Sequence, residues 1–386
     1  MDPLTTSLVS SSFKSIGATP GGEGAFAQSF YAALFAAHPE IREHFPAAMT
    51  MQRDRLMQAI GYVVDRLDRP DTVLPLLAQL GCDHRKYEIS EEHYGGVGEA
   101  LVTALANLAG PERWTDDTEQ AWRSAIALII TTMTDAANAE PGPPTWVGRV
   151  IEHRRVLDDL AIVRLQLDQP IPYSAGQYVS VQVPRRPRMW RYLSFATPPN
   201  PDRTIEFHVR RVSGGWVSPG IVGETRIGDT WLLGSPLGAL GVRERPGRDR
   251  LMIAEGTGIA PLRAQLMDLP RLGDVPRTVL FVGGTYPHDL YDLDLLWALS
   301  RTCPWLIVIP VTEHDDNPWW FPGTSTVPAG MHNCLTGKLG RVVAEYADWT
   351  DHDIEIVGSP SMIRATKYRL MAAGVDAGDI RHDPLY

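Results

Sequence analysis

Between Ser12 and Asn138 apolar residues recur every three or four positions, Ala and Leu are abundant, and strand-like alternation is nearly absent. That spacing predicts an all-α segment. Two stretches show it best. In PLLAQLGCDHRKY, Leu76, Leu80 and His84 fall on one helix face, and in MQRDRLMQAI so do Gln52, Leu56 and Ile60. The run Pro141-Gly142-Pro143-Pro144 cannot continue a helix, because proline lacks an amide donor and restricts the residue before it. After it the period changes. VGRVIEHRRVL, AIVRLQL, YVSVQV, TIEFHVRRV and TWLLG read as short strands separated by turn residues, the pattern of an all-β barrel. From Asp249 strands alternate with glycine turns and helices, through RLMIAEGTGIAPLRAQL, TVLFVGG, WLIVIPVT and IEIVGS, which predicts an α/β domain with a parallel sheet. The expected organisation is multidomain: all-α over 1–140, all-β over 145–246 and α/β over 249–386.

Composition narrows the chemistry. The chain has 386 residues, 44% hydrophobic, and its formal charge of −10 comes without a basic run, so no nucleic-acid partner is expected. Cys82, Cys303 and Cys334 are too few and too scattered for a disulfide framework or a four-cysteine iron–sulfur cluster. Any electron carrier must then be another prosthetic group. No segment reaches membrane-spanning length, and MDPLTTSLVSSSFKS lacks the charged start and apolar stretch of an export signal, so a cytoplasmic location is expected.

A single histidine on an apolar stripe is ordinarily a core residue, and a lone glutamine on a helix is ordinarily exposed. Together with SFYAALFAAHPEIREHF and HYGGVGEAL, however, the two stretches follow one another in a known order, and the first 138 residues resemble the globin half of flavohemoglobins. The resemblance implies a heme b with His84 as proximal iron ligand, Tyr31 and Gln52 as distal hydrogen-bonding groups, Leu56 as the distal gate, and Phe45 packed on the porphyrin. Tyr94 matches a tyrosine that hydrogen-bonds near the proximal histidine. One neutral imidazole leaves the sixth iron position open for O2, toward which a phenol and an amide can donate. Counted from Trp122, the family's proximal glutamate position is Ala137, and Asp135 falls on a different helix face. Weaker electron donation from the imidazole is the expected result.

MWRYLSFATPP and FHVRRVSGGWVS resemble the FAD-binding half of ferredoxin–NADP reductase-like enzymes, including phenol-hydroxylase-type reductases. The resemblance pairs Arg191 with the FAD pyrophosphate and Ser194 with the isoalloxazine edge. It places Gly214, Gly215, Val217 and Ser218 at the phosphate turn, and Gln177 and Tyr178 at another contact. A guanidinium recognises phosphate with two bonds, and glycines let amides approach an anion. The family's Arg-x-Tyr-Ser is here Arg191-Tyr192-Leu193-Ser194, so Tyr192 stands one place early. Strand alternation then predicts Leu193 against the flavin.

Gly256-Thr257-Gly258 and Pro261 follow a strand and open a helix, the context that brings amides to a dinucleotide pyrophosphate. The segments DLYD and GSP match the same NAD(P)-binding module, with Gly358 in the second. Because the next strand ends Gly283-Gly284-Thr285, with no Arg or Lys for a 2′-phosphate, NADH is expected over NADPH. Val357 replaces the family's cysteine. At the C-terminus Asp383 is a shortened counterpart of a family glutamate, and Tyr386 is a candidate to cover the flavin. The expected function is electron flow from reduced nicotinamide through FAD to heme, with O2 and nitric oxide as reactants. Two alternatives stand beside it: a flavin fed by another small organic donor such as a hydroxy acid, and a heme-based gas or redox sensor.

Overall fold

A computed structural model describes residues 1–383 except 19, 20, 47, 90, 242–247, 274, 322, 324–326 and 332. The chain divides into two compact units, with the break between Thr145 and Trp146.

The first unit is helical: α1 (Pro3–Gly17), α2 (Gly22–Ala37), α3 (Thr50–Val64), α4 (Pro70–His84), α5 (Glu91–Ala109) and α6 (Asp116–Ala139), with a 3-10 turn at Pro39–His44 and another at Arg85–Tyr87. The helical start near Ser12 is nine residues late. Asp2 accepts from the Thr5 amide and Pro3 occupies the first turn, so capping starts a Ser/Thr-rich segment that propensity alone does not favour. Thr115 likewise caps α6, whose first turn carries Asp116, Asp117 and Glu119 against the positive helix end. The core gathers Phe26, Phe30, Leu34, Leu77, Leu105 and Trp122. Gly81 sets how closely α4 approaches α6, since a Cβ there would stand 2.1 Å from the Met133 carbonyl oxygen.

The second unit holds two sheets. Strands β1 (Trp146–Leu157), β2 (Leu160–Leu167), β3 (Tyr178–Gln182), β4 (Trp190–Ser194), β5 (Thr204–Arg210) and β6 (Thr230–Leu237) form an antiparallel sheet in the order β4-β3-β6-β1-β2-β5. A bridge from Phe195 to Phe207 draws its two edges together, and α7 (Val217–Glu224) lies between β5 and β6 in the chain. Val179, Val181, Leu193, Phe195, Phe207 and Trp231 fill the interior.

The second sheet is parallel, β10-β9-β8-β7-β11-β12. It is built from β7 (Asp249–Glu255), β8 (Thr278–Gly284), β9 (Leu306–Thr312), β10 (Leu335–Thr336), β11 (His352–Val357) and β12 (Ile380–Arg381). Helices α8 (Ile259–Asp268), α9 (Leu293–Thr302), α10 (Leu339–Tyr346) and α11 (Pro360–Ala372) connect them. Strand order reverses between β7 and β11, and such a switch point opens a crevice at the carboxyl ends of its strands.

Candidate functional site

In the helical unit the last residue of α4 is His84, and its Nδ1 lies 2.7 Å from the Leu80 carbonyl oxygen. A carbonyl only accepts, so Nδ1 carries the proton and Nε2 keeps its lone pair. Burial lowers the pKa of the ring and favours the neutral form. A neutral imidazole, oriented through its second nitrogen, suits an iron ligand. The ring of Tyr87 lies 5.8 Å from that of His84, a neighbour that the sequence pattern does not reveal.

In α2 the Tyr31 hydroxyl donates to the backbone carbonyl of Gln52 at 3.4 Å, and burial holds the phenol protonated. The Phe45 ring stands edge-on to Tyr31 at 5.5 Å, and Leu56, Leu80 and Phe45 pack on the same core. Tyr31, Gln52 and Phe45 are therefore brought together, with the long hydroxyl contact leaving Tyr31 able to turn to another acceptor. This donor set and its apolar wall fit a heme.

His84, Tyr94, Thr134, Ala137 and Asn138 border a cavity of about 440 Å³. Among the described residues no hydrogen bond joins Tyr94 to His84, whose Nδ1 proton is committed to Leu80. Asp135 is exposed, and the cavity wall carries the methyl of Ala137 together with Glu140, the residue that follows α6, and Glu88. Flanking His84, Lys86 and Asp83 form a buried ion pair at 2.6 Å.

The barrel corrects one expectation. Leu193 does not face outward toward a flavin but packs into the interior with Val179 and Phe195. Pairing of Ser180 with Tyr192 and of Tyr178 with Ser194 puts these four on the opposite face, where the rings of Tyr178 and Tyr192 meet edge-on at 5.3 Å. Alternation identifies residues that share a face, and the apolar partners decide which face turns inward. Gln177 spans this end of β3: its Oε1 accepts from the Ser174 amide at 2.8 Å and its Nε2 donates to the Gly238 carbonyl at 3.3 Å.

Gly214 has φ +75°, Gly215 donates its amide to the Val212 carbonyl, and Ser218 Oγ accepts from the Val212 amide at 3.0 Å. Val217 and Ser218 begin α7, so the turn presents a helix N-terminus. Arg186 holds this turn by donating to the Trp216 carbonyl at 2.9 Å. Arg191 stands on β4 beside Val181. The glycine turn at a helix N-terminus and the paired tyrosine face are features that fit FAD.

At the switch point Gly256, with φ +55°, and Thr257 and Gly258 form a single 3-10 turn leading into α8, where Pro261 is buried. A Cβ on Gly258 would lie 2.4 Å from the Val357 carbonyl oxygen, so only glycine lets the turn sit against β11. Gly358 follows β11, with Ser359 capping α11. These backbones fit a dinucleotide. Arg210, at the end of β5, reaches Asp289 at 2.8 Å. Glu206, His208, Arg263 and Tyr291 make a buried network from the barrel to the parallel sheet. Sequence reading misses these residues because they lie far apart along the chain. Asp383 packs beside Gly238 and Tyr178, and burial pushes its carboxyl up to about 7. Tyr386 lies outside the described residues. All three cysteines are free, and no helix among the described residues is long and apolar enough to cross a membrane.

Comparison with known proteins finds three family matches along the chain. The globin family matches residues 28–133, the oxidoreductase FAD-binding domain 148–241, and the oxidoreductase NAD-binding domain 252–368. The flavohemoprotein of Deinococcus radiodurans is 30% identical over 275 residues, covering 66% of this chain and 67% of that protein. The reductase component of phenol 2-monooxygenase from a Pseudomonas species is 28% identical over 301 residues, covering 75% and 79%. Among solved structures, a flavohemoglobin from Malassezia yamatoensis with bound FAD and heme superposes with a TM-score of 0.77 over 98% of each chain, at 13% identity. The chain belongs to the flavohemoprotein family, an oxidoreductase in which a globin precedes an FAD- and NAD-binding module.

Proposed function

We propose that this chain is an NADH-dependent nitric oxide dioxygenase. When bound, nicotinamide, FAD and heme would supply the redox chemistry that turns nitric oxide, O2 and one electron into nitrate, and the chain's own residues would bind and orient them. The observation that carries the reading is the His84 geometry: with Nδ1 bound to Leu80, Nε2 keeps its lone pair and would be the nitrogen to hold an iron. Tyr31 supplies a protonated hydroxyl on the distal side, held near Gln52. In the barrel, the Gly214–Ser218 turn and the Tyr178–Tyr192 face would hold the flavin, with Arg191, exposed on the other side of β4, as the guanidinium to reach its pyrophosphate. At the switch point the Gly256–Gly258 turn holds the dinucleotide. NADH is favoured because the end of β8 offers no cation at Gly284 or Thr285, while Asp289 follows it.

The test is nitric oxide consumption by the purified protein loaded with heme and FAD. NADH should support O2-dependent loss of nitric oxide with equal formation of nitrate, and Tyr31→Phe should slow it. Oxidation of NADH that ignores nitric oxide and yields no nitrate would rule the reading out.

A further inference from the structure

Glu255 is the last residue of β7 and immediately precedes the Gly256–Gly258 turn. Its side chain lies at the carboxyl ends of the paired strands β7 and β11, beside Gly358 and Ser359. A Cβ on Gly358 would stand 3.2 Å from the Glu255 Cβ, and Ser359 Oγ donates to Glu255 Oε2 at 3.4 Å. Glu313, following β9, and Asp289, following β8, act on it as further negative charges. Arg210 is the cation facing this turn from the barrel, with Nη1 4.0 Å from a Cβ placed on Gly256. It is already engaged by Asp289 at 2.8 Å and Asp159 at 3.4 Å.

The crevice thus contains two opposing features. The glycine turn and the N-terminus of α8 attract a pyrophosphate, whereas a carboxylate at the residue before the turn repels it. We propose that Glu255 limits and tunes dinucleotide affinity, its carboxylate opposing the pyrophosphate that the Gly256–Gly258 turn receives. The proposal rests on the reading of that turn as the dinucleotide site. Burial, reinforced by Glu313 and Asp289, already raises the Glu255 carboxyl above its usual range. A bound pyrophosphate raises it further, so binding takes up a proton. Affinity therefore falls as pH rises through the titration of Glu255. The neutral acid presents Ser359 and the ligand with a hydroxyl instead of a charge.

The experiment is calorimetric titration of the heme- and FAD-loaded protein with ADP-ribose and with NAD+ at about pH 5 and about pH 8, both above the ordinary carboxylate range of about 4. ADP-ribose carries the pyrophosphate without the nicotinamide, which separates the two ends of the ligand. Glu255→Gln should bind ADP-ribose about tenfold more tightly than the native protein at the higher pH, the scale of one charge opposing another at partly buried separation. The native protein should lose affinity between the two pH values, and the variant should lose much less. Glu313→Gln, at an exposed position, should change affinity less than Glu255→Gln. Unchanged or weaker ADP-ribose binding in Glu255→Gln overturns the proposal. So does weakened NAD+ binding with ADP-ribose unaffected, which makes Glu255 an acceptor for the carboxamide. If ADP-ribose binds neither protein at either pH, the assignment of the turn fails and the proposal with it.

Discussion

Replacing Glu206 by Gln probes the joint between the flavin barrel and the parallel sheet. Glu206 Oε1 accepts from Arg263 Nη1 at 2.7 Å and lies 3.1 Å from His208 Nε2, while Oε2 accepts from Arg164 Nη2 at 2.8 Å. The Glu206 side chain is 4% exposed and that of Arg263 7%, so solvent cannot replace the lost charge. An amide breaks the Arg263–Glu206 pair and leaves Asp292, 3.6 Å from Arg263 Nε, as the remaining carboxylate, and breaking a buried pair costs about 3–5 kcal/mol. For a unit of this size each kcal/mol moves Tm by about 2–4 °C, so the expected loss is about 6–20 °C.

Burial alone pushes the Glu206 carboxyl up, but the His208 hydrogen bond and the charges of Arg263 and Arg164 together hold it well below its usual range. Its folded pKa is thus depressed, and its contribution is present above the unfolded pKa of about 4.3 and disappears as pH falls toward the folded value. Differential scanning calorimetry of the FAD-loaded protein should show the native and Glu206→Gln transitions far apart near neutral pH and converging below about pH 4. A Tm loss under about 2 °C at neutral pH, or a gap that does not close in acid, refutes the buried-pair argument.

Four other outcomes follow from the sites. His84→Ala should abolish the heme Soret band while leaving the flavin spectrum intact, and a normal Soret band in that variant removes the iron assignment. Tyr31→Phe should speed dioxygen release from the heme-loaded protein about five- to tenfold, the worth of one hydrogen bond, and an unchanged rate by flash photolysis counts against the distal role. Arg191→Ala should weaken FAD binding about 10–100-fold, measured by fluorescence titration of the apoprotein, if its guanidinium grips the pyrophosphate. Gly258→Ala should eliminate ADP-ribose binding while FAD is retained, because the added methyl meets the Val357 carbonyl; retained binding shows that the turn is not the nucleotide cradle.

Legibility in the sequence followed the range of the interactions. The Leu76–Leu80–His84 face was readable because helical spacing is local, and the structure adds what spacing cannot state: the Leu80 carbonyl selects which nitrogen of His84 stays free. The strand–turn–helix order around Gly256 was equally local. Leu193 was misplaced because parity in β4 says only that residues 191 and 193 differ from 192 and 194. Its interior position depends on Val179 across the sheet and on the bridge at Phe195, contacts set by the closing of the barrel. The Glu206–Arg263 pair, 57 residues apart, and the approach of Arg210 to Asp289, 79 residues apart, come from topology alone. Glu255 was visible in the chain, but its meaning was not, since its crevice forms only when β11 inserts beside β7.

The most direct test of the account is anaerobic stopped-flow absorbance of the heme- and FAD-loaded protein mixed with NADH. The flavin band should bleach first and the heme should then become ferrous, with the second phase absent in His84→Ala and flavin reduction preserved. Flavin reduction that leaves the heme ferric, or a flavin that no reduced nicotinamide bleaches, contradicts the claim that these sites form one electron path.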